Sequence, residues 1–415
     1  MRWSVLLLLL LATIGQPADA ATPALLEPSR VLPAVIDTVE VHGLWRTKRF
    51  VVERELPWKP GQTVDLTAWN LGLRHLWDMG LFSRVRGTLV RRGRHLVARL
   101  DLEERWTATP LIDFGVGGGV TWWEVGLDDR NTLGRFLDTG GYFQSFGDFD
   151  GGDLWFSDPR FLDSRQLFTV EGSRLERPRP QFALQRTGAR VELDRDLNET
   201  FTLGADLDYE WDQFEKVPGS TEALPPTSQI GIVGGLVRFG RVDTVRLLET
   251  GQSLELRPSV GITSHPTDRV YGALALQALF FRPLGRRFNF ASRLEAGAMT
   301  PLPVESEEYV GGLDLVRGLQ DSAIQTRLYA LANLELRFVA FDSMLLAFQP
   351  AAFVDGVVAR LDNGGLTDAV SFGAGLRILV PRLPDAGLRV DLAEALGGPA
   401  HSHGPSLSVG TYEFF

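Results

Sequence analysis

The residues best suited to chemistry in this sequence are charged groups set among glycines. Arg317 lies in the segment YVGGLDLVRGLQD, and carboxylates follow at Glu335 and Asp355. A guanidinium group pairs bidentately with a carboxylate, and we expect Arg317 to fold back against these two residues. The alternative is an ordinary surface loop with a solvated arginine. Gly311, Gly312 and Gly318 would allow close approach and unusual backbone angles around this contact.

Other kinds of chemistry find little support in the sequence. There is no cysteine, which excludes a disulfide scaffold, a thiolate metal site and a cysteine nucleophile. The six histidines are scattered, and only His401 and His403 stand close enough together to suggest a shared metal. Glycine runs such as residues 117–119 lack the strand–loop–helix context of a phosphate site. We therefore predict no enzymatic activity, no cofactor and no metal site.

The composition narrows the class of protein. The 415 residues include 42 basic and 52 acidic side chains, and a net charge of −10 argues against nucleic-acid binding. Hydrophobic residues make up 44% of the chain, which argues against disorder. The 44 glycines favour an all-β chain with many turns. Two classes remain: a large soluble β protein, and an outer-membrane barrel, whose strands alternate rather than run apolar throughout.

The first twenty residues predict export. Arg2 precedes an apolar run from Val5 to Ile14, and Ala18-Asp19-Ala20 forms an A-x-A cleavage site. A transmembrane helix needs about 20 apolar residues, so this run is too short to span a bilayer. The alternative is an uncleaved anchor. Because no later apolar stretch is long enough either, any membrane crossing must be made by strands. Residues 21–35 carry three prolines and are predicted to be a linker.

Residues 36–106 have the pattern of a small mixed domain. Alternating segments indicate three strands, and apolar residues at 3–4 spacing indicate two helices between the first and second strands. The domain carries 13 basic and 9 acidic side chains, so it is slightly basic in an acidic protein. The predicted order is β-α-α-β-β, with elements near 36–41, 50–56, 66–79, 84–90 and 96–103.

Residues 107–415 are predicted to form a 16-stranded antiparallel transmembrane β-barrel. Glu335 and Arg337 share one face of a strand, and Leu334 and Leu336 share the other. A basic side chain facing lipid at the bilayer midplane costs about 2–4 kcal/mol, so the charged face should line the lumen. A soluble sandwich, with the faces exchanged, is the alternative. The predicted strands are 108–118, 121–128, 139–146, 152–158, 166–175, 184–194, 200–211, 229–239, 252–262, 270–281, 287–298, 326–339, 344–358, 369–379, 387–395 and 405–415.

Three motifs in the small domain resemble a POTRA domain. They are VEVHGLWRT at 39–47, LWDMGLFSRV at 76–85 and HLVARLDLEE at 95–104. The resemblance covers the whole small domain, and a generic α+β module is the alternative. It implies that the domain binds extended client strands by edge addition, for which an open sheet edge is the physical basis.

Motifs in the barrel region resemble the BamA/TamA superfamily of outer-membrane assembly factors, including its two-partner secretion branch. The motif VRG at 316–318 is preceded by Gly-Gly at 311–312 and followed by FVDG at 353–356 and GAGLR at 373–377. With the POTRA-like region in front, the resemblance covers nearly the whole mature chain. The family usually has an aromatic residue where Leu319 stands here. The resemblance implies that these motifs hold the loop against the inner barrel wall. The contact set that follows is Gly311, Gly312, Val316, Arg317, Gly318, Glu335, Phe353, Asp355 and Gly356.

The resemblance also implies a function. We expect an outer-membrane assembly factor whose POTRA domain, in the periplasm of a Gram-negative bacterium, receives unfolded client strands for insertion or translocation. A single POTRA domain suggests a specialised or accessory role. The alternatives are a two-partner-secretion pore for one exported partner and a non-transporting structural barrel. The expected partners are outer-membrane lipid, unfolded outer-membrane or secreted clients, and periplasmic or lipoprotein subunits, but no nucleic acid.

The chain ends in aromatic residues, with Tyr412, Phe414 and Phe415 near or at its last position. This ending resembles the C-terminal signal by which outer-membrane barrels are received for assembly. The register of the last strand stays open, because Glu413 would share a face with Phe415.

Overall fold

The computed structural model describes residues 25–217, 223–245, 247–264, 269–300, 306–312, 315–343, 345–361, 363–380, 387–398 and 404–411. The predicted signal peptide, 1–20, and the terminal aromatics Tyr412, Phe414 and Phe415 lie outside these residues. The chain divides into two compact units, one ending at Arg105 and one beginning at Trp106. No helix among the described residues is long and apolar enough to cross a membrane.

The first unit contains a four-stranded sheet in the order β1-β5-β6-β3, with β3 parallel to β6 and the other neighbours antiparallel. The strands β2 and β4 form a separate short pair. Helices α2 and α3 lie between β3 and β5 in sequence, so the order strand, helix, helix, strand, strand is present. The elements are β1 Leu25–Leu26, α1 Pro28–Val31, β2 Ala34–Val35, β3 Thr38–His42, α2 Arg49–Glu55, β4 Thr63–Val64, α3 Leu66–Asp78, β5 Phe82–Arg92 and β6 His95–Glu104.

Helix α3 packs on the sheet through one apolar face. Its first turn is capped by Asp65, whose carboxylate accepts a 2.7 Å hydrogen bond from the Ala68 N–H. Trp69 is buried and stacks on Trp58 with ring centroids 5.9 Å apart. Opposite it on β5, a Cβ on Gly87 would lie 2.6 Å from the Trp69 ring. The glycine therefore allows the helix to approach the strand closely.

The second unit is a closed antiparallel barrel of sixteen strands within its described residues, which confirms the predicted fold class. Each predicted strand corresponds to one barrel strand; β21 continues β20, and β18 and β19 form a separate hairpin between β17 and β20. The bounds are β7 Ala108–Gly117, β8 Val120–Asp129, β9 Asp138–Phe146, β10 Phe149–Asp158, β11 Gln166–Pro178, β12 Phe182–Asn198, β13 Phe201–Lys216, β14 Ser228–Val245, β15 Leu248–Thr263, β16 Arg269–Leu284, β17 Phe288–Met299, β18 Glu308–Val310, β19 Ile324–Thr326, β20 Leu328–Phe338, β21 Phe341–Asp342, β22 Ala347–Arg360, β23 Leu366–Leu379, β24 Gly387–Gly397 and β25 Ser406–Thr411.

Alternation along the strands gives the barrel a charged inner face and an apolar outer face. On β20, Glu335 and Arg337 are buried inside, whereas Leu334 and Leu336 are more than 40% exposed outside. Several strands, such as β12 and β14, extend beyond their predicted ends. At the end of β12, residues 195–198 are all exposed, so the alternation on which the prediction relies is lost there.

The antiparallel order places several connections at the same end of the barrel. The β7–β8 turn, the β11–β12 turn and the long segment between β17 and β20 all follow odd-numbered barrel strands. We call the end that carries them the loop end. This shared end explains how residues far apart in sequence meet around the long segment.

Candidate functional site

The long segment between β17 and β20 enters the barrel, and we call its residues 306–327 the inner loop. Its stem is the β18–β19 hairpin, above which Gly312 bridges Val316. Gly311 has a φ of 139°, and a Cβ there would lie 2.3 Å from the Gln320 carbonyl oxygen. Glycine is required at this point because any side chain would collide with the returning chain.

The guanidinium group of Arg317, at the turn of this loop, is enclosed by carboxylates. Its Nε and Nη2 each donate a 2.8 Å hydrogen bond to Asp355, whose carboxylate also accepts from the Arg317 backbone N–H at 3.1 Å. Its Nη1 donates to Glu335 at 2.8 Å and lies 3.6 Å from Asp391. The ring of Phe353 covers the group, with its centroid 3.4 Å from Cζ. The loop is thereby tied to β20, β22 and β24.

The carboxylates around Arg317 are shared with arginines of the inner wall. Glu335 accepts hydrogen bonds of 2.8 Å from both Arg337 and Arg377. Asp391 binds Arg377 as well and lies 3.4 Å from the Nε of Arg389. With the contact between Arg337 and Glu249, these interactions join four guanidinium groups to four carboxylates: Arg317, Arg337, Arg377 and Arg389 with Glu249, Glu335, Asp355 and Asp391.

This network is almost completely removed from water. Arg317 and Asp355 have no exposed surface, and Glu335 is 1% exposed. Burying charges is costly, and the centre of the arrangement is stable because Arg317, Glu335 and Asp355 each meet a partner of opposite sign and several hydrogen bonds. Removing one partner would leave an uncompensated buried charge, at a cost of about 3–5 kcal/mol. The network therefore fixes the turn of the inner loop on the wall.

Neutral contacts hold the same turn from its sides. The Asn333 amide donates to the Leu315 carbonyl at 2.9 Å and accepts from Arg293 at 2.9 Å. Gly318 has a φ of 88°, and a Cβ there would lie 3.2 Å from the Ala395 backbone nitrogen. The turn thus lies directly against β24, at a distance that leaves little space for a side chain.

An apolar cluster fills the space between the inner loop and the wall. Leu319, where the resemblance leads one to expect an aromatic residue, is 1% exposed. It packs among small wall residues, which include Ala369 and Ala395, so the leucine fills a closed site. The cluster consists of Val310, Val316, Leu319, Ile324, Tyr329, Leu331, Val357, Ala359, Ala369 and Ala395.

The inner loop also reaches the opposite side of the barrel. The Arg179 guanidinium donates to the Ser322 hydroxyl at 3.0 Å and lies 4.0 Å from the centroid of the Tyr309 ring. Gln181 donates to Gln325 at 2.9 Å. Arg179 and Gln181 belong to the β11–β12 turn, so the loop crosses the lumen from β20–β24 to this turn.

The structure gathers eight of the nine predicted contact residues at the loop and its wall. The exception is Gly356, which pairs with Ala332 and Val370 on the outer face of the barrel. The prediction that placed Gly356 in the contact is corrected: side chains alternate along a strand, and Phe353 and Asp355 already occupy the inner face. Arg377 on β23 and Asp391 on β24 also join the contact, although they were not among the predicted contact residues.

The barrel closes through a short ladder. Among the described residues, β25 and β7 pair only at Val409 with Val116 and at Gly410 with Gly115, whereas β7 and β8 pair at ten positions. The Thr411 hydroxyl adds contacts to the Phe114 backbone, accepting from its N–H at 2.9 Å. We call the β25–β7 junction the seam. It has the fewest backbone pairs of any junction between successive barrel strands in the described chain.

Comparison with known proteins places this architecture in context. The family model described as the Omp85 superfamily domain matches residues 148–400. BamA from Haemophilus ducreyi lacking POTRA domains 1–3 is 15% identical with a TM-score of 0.67, over 91% of this chain and 84% of that one. CdiB from Escherichia coli is 14% identical, with a TM-score of 0.63 over 92% and 76% of the two chains. CdiB from Acinetobacter baumannii is 12% identical, with a TM-score of 0.59 over 91% and 73%. Among curated protein sequences, none is significantly similar to this chain.

Proposed function

This chain belongs to the Omp85 superfamily, and from that premise we propose that it is an outer-membrane component that inserts or translocates client proteins. The observation that carries the proposal is the inner loop, which is fixed inside a barrel by Arg317 and lies near the seam. The charged inner and apolar outer faces suit a barrel embedded in lipid, with the small domain in the periplasm.

The small domain offers an edge at which a client strand could be received. On the β5 side of its sheet, β1 covers only Leu89 and Val90. Residues 82–88 of β5 have β6 as their partner on one side, and no described strand pairs with them on the other. Unpaired backbone groups of this kind accept an extended segment by strand addition. We propose that this POTRA-like domain receives unfolded clients there.

The seam offers a second edge, within the membrane. Separating β25 from β7, which share two register pairs among the described residues, exposes one edge of each strand. A client strand that pairs with such an edge keeps its backbone groups satisfied while it enters lipid, which would otherwise cost several kcal/mol per group. This route does not require the inner loop to leave the lumen, because the Arg317 network can hold the turn of the loop on β20 and β22 while the seam is used.

The second candidate is translocation of a dedicated partner through the lumen. The wall formed by β12, β13 and β15 favours it, because its charged side chains, such as Arg190 and Arg257, remain about one-third exposed. Passage by this route requires that the inner loop leave the lumen, because the loop crosses it at the loop end. The two candidates therefore differ in what the loop must do.

A reconstitution assay tests the proposed function and separates it from this alternative. The full mature chain is placed in lipid vesicles, and an unfolded outer-membrane barrel is added on the side of the small domain. We expect faster client folding into these vesicles than into protein-free ones.

The outcomes are distinct. Faster client folding supports insertion, whereas conductance across planar bilayers that rises in Arg317→Ala, with no effect on client folding, supports translocation. If neither folding nor conductance differs from protein-free membranes, and deletion leaves the outer-membrane and secreted proteomes unchanged, the chain is a non-transporting barrel and both proposals are wrong.

A further inference from the structure

The inner loop touches both sides of the seam, and this arrangement points to a role beyond its attachment to the wall. Strand β25 has β24 on one side and β7 on the other. The backbone N–H of Asp321 donates a 2.8 Å hydrogen bond to the carbonyl oxygen of Gly118, in the β7–β8 turn. Three residues earlier, Gly318 lies against β24.

The contact with the β7–β8 turn is close. A Cβ on Gly118 would lie 2.8 Å from the Asp321 nitrogen, 3.0 Å from the Gly312 Cα and 3.2 Å from the Leu319 carbonyl oxygen. The turn and the loop therefore meet backbone to backbone, which only glycine permits at this position.

The contact on the other side is equally close. A Cβ on Gly318 would lie 3.3 Å from both the Ala395 Cβ and the Ser371 Oγ. Leu319 packs among Ala369 and Ala395, and its Cδ2 would lie 3.7 Å from a Cβ on Gly398. The segment is thereby fixed to β23 and β24 on the side of the seam away from β7.

The dimensions fit a direct bridge. From β24 across β25 to β7 is two strand spacings, or roughly 10 Å. Three residues of extended chain, from Gly318 to Asp321, reach roughly 10 Å as well. The segment 318–321 thus connects β24 with the β7–β8 turn on the lumen side of the seam.

We propose that residues 318–321 form a strap that holds the seam closed at the loop end. Opening the seam there requires the strap to leave either the Gly118 carbonyl or the surface of β24. Displacement of the inner loop and opening of the seam are therefore coupled, and a client that opens the seam must also loosen the loop. This last step rests on the proposed function, whereas the closure of the seam by the strap does not.

Neighbouring glycines of the β7–β8 turn provide a matched pair of variants. Gly118 and Gly119 both have a positive φ, of 59° and 84°, so alanine strains the turn at either position. Only at Gly118 does the added methyl group meet the strap, because a Cβ on Gly119 has nothing within 4 Å. Ala395→Leu reaches the strap from its other flank and serves as a second, independent variant.

The test measures the width of the seam without any client. The chain has no cysteine, so Thr121→Cys on β8 and Leu392→Cys on β24, both exposed on the outer face and nearly level with each other across the seam, form a unique pair for spin labels. The distance between the two spin labels is measured by pulsed electron paramagnetic resonance on the full chain in lipid. In Gly118→Ala and in Ala395→Leu we expect the ratio of wide to narrow seams to rise about tenfold, equivalent to about 1.4 kcal/mol. Gly119→Ala should match the parent.

Two results would overturn the strap. One is an unchanged distance distribution in both Gly118→Ala and Ala395→Leu, with heat-modifiable gel mobility showing that the barrels are folded. The other is equal widening in Gly118→Ala and Gly119→Ala, which would assign the effect to strain in the turn. Because no client is present, either result leaves the proposed function standing; conversely, failure of client folding in the reconstitution assay leaves the strap standing.

Discussion

Two regions of the barrel's inner wall carry similar residues in very different surroundings. At β20–β24, Arg317 of the inner loop, Arg377 of the wall and their carboxylate partners are at most 2% exposed. On β12–β15, Arg190 lies between Glu192, Asp206 and Asp208 at 3.4–3.6 Å, but is 32% exposed. The alternation of charged and apolar residues is the same in both regions. The difference is the inner loop, which covers the first region and leaves the second open to the lumen.

Shielding from water by the inner loop, and not charge pairing alone, determines how much an ion pair contributes to the stability of the barrel. A pair open to water typically contributes about 0–1 kcal/mol, since solvent screens the charges. Loss of one partner of a covered pair lowers the free energy of unfolding by about 3–5 kcal/mol, because the remaining charge is buried and water does not solvate it. We call these two regions the covered wall and the open wall. Substitutions in the covered wall should lower the free energy of unfolding more than substitutions in the open wall.

The largest effect is expected at the centre of the covered wall. Arg317→Ala should lower the free energy of unfolding of the barrel by about 3–5 kcal/mol, because Asp355 and Glu335 lose a buried partner. Asp355→Ala should have a similar effect, and the double variant should lose little more than either single one. Denaturant unfolding in lipid measures all three, and heat-modifiable gel mobility gives a faster check. Additive losses would mean that the two residues do not act as a pair.

Sequence analysis predicts some contacts of the covered wall and not others, because the contacts depend on different kinds of information. The inward position of Glu335, Asp355 and Arg377 follows from alternation alone. That Arg377 meets Glu335 depends on strand register across β22, and the contact of Arg179 with Ser322 depends on the closure of the whole barrel. Neither leaves a local pattern in the sequence, so both were missed.

The error at Gly356 was of another kind. Once Phe353 and Asp355 are assigned to the lumen, the two-residue period of a strand already directs Gly356 outward. The motif FVDG suggested a single functional unit, and that grouping concealed the alternation within it. The small domain offers a parallel case: the short strand β1, beside β5, lies in a stretch that its prolines predicted to be only a linker.

The second-largest effect is expected in the apolar part of the covered wall. Leu319→Ala should lower the free energy of unfolding by about 2–5 kcal/mol, because Leu319 is fully enclosed and its removal leaves a cavity. Leu319→Phe, which restores the aromatic residue of the resemblance, should cost about 1–3 kcal/mol, because Ala369 and Ala395 leave little room. The same unfolding measurement applies. If the phenylalanine variant were more stable than the parent, the site around residue 319 would have to hold a larger side chain than this packing allows.

An intermediate effect is expected at Arg186, the best-formed ion pair of the open wall. Its Nε and Nη2 donate to the Asp212 carboxylate at 2.8 and 2.7 Å, and Asp212 is fully buried. The arginine, however, keeps one quarter of its side-chain surface exposed. Arg186→Ala should cost about 1.5–3 kcal/mol, the range for hydrogen bonds to charged groups, and so fall between the two walls. A loss of stability as large as that of Arg317→Ala would mean that burial of the carboxylate alone determines the cost of removing its partner.

The smallest effect, and the sharpest contrast, is expected at Arg190. It contacts three carboxylates, Glu192, Asp206 and Asp208, yet each contact is 3.4 Å or longer and the group faces the lumen. Arg190→Ala should therefore change the free energy of unfolding by less than about 1 kcal/mol, and raising the salt concentration should reduce the difference further. Arg317→Ala, measured in the same salt series, should hold nearly constant, because buried pairs are screened much less. If the two variants responded to salt alike, water would reach both walls equally, and the inner loop could not be the cover that distinguishes them.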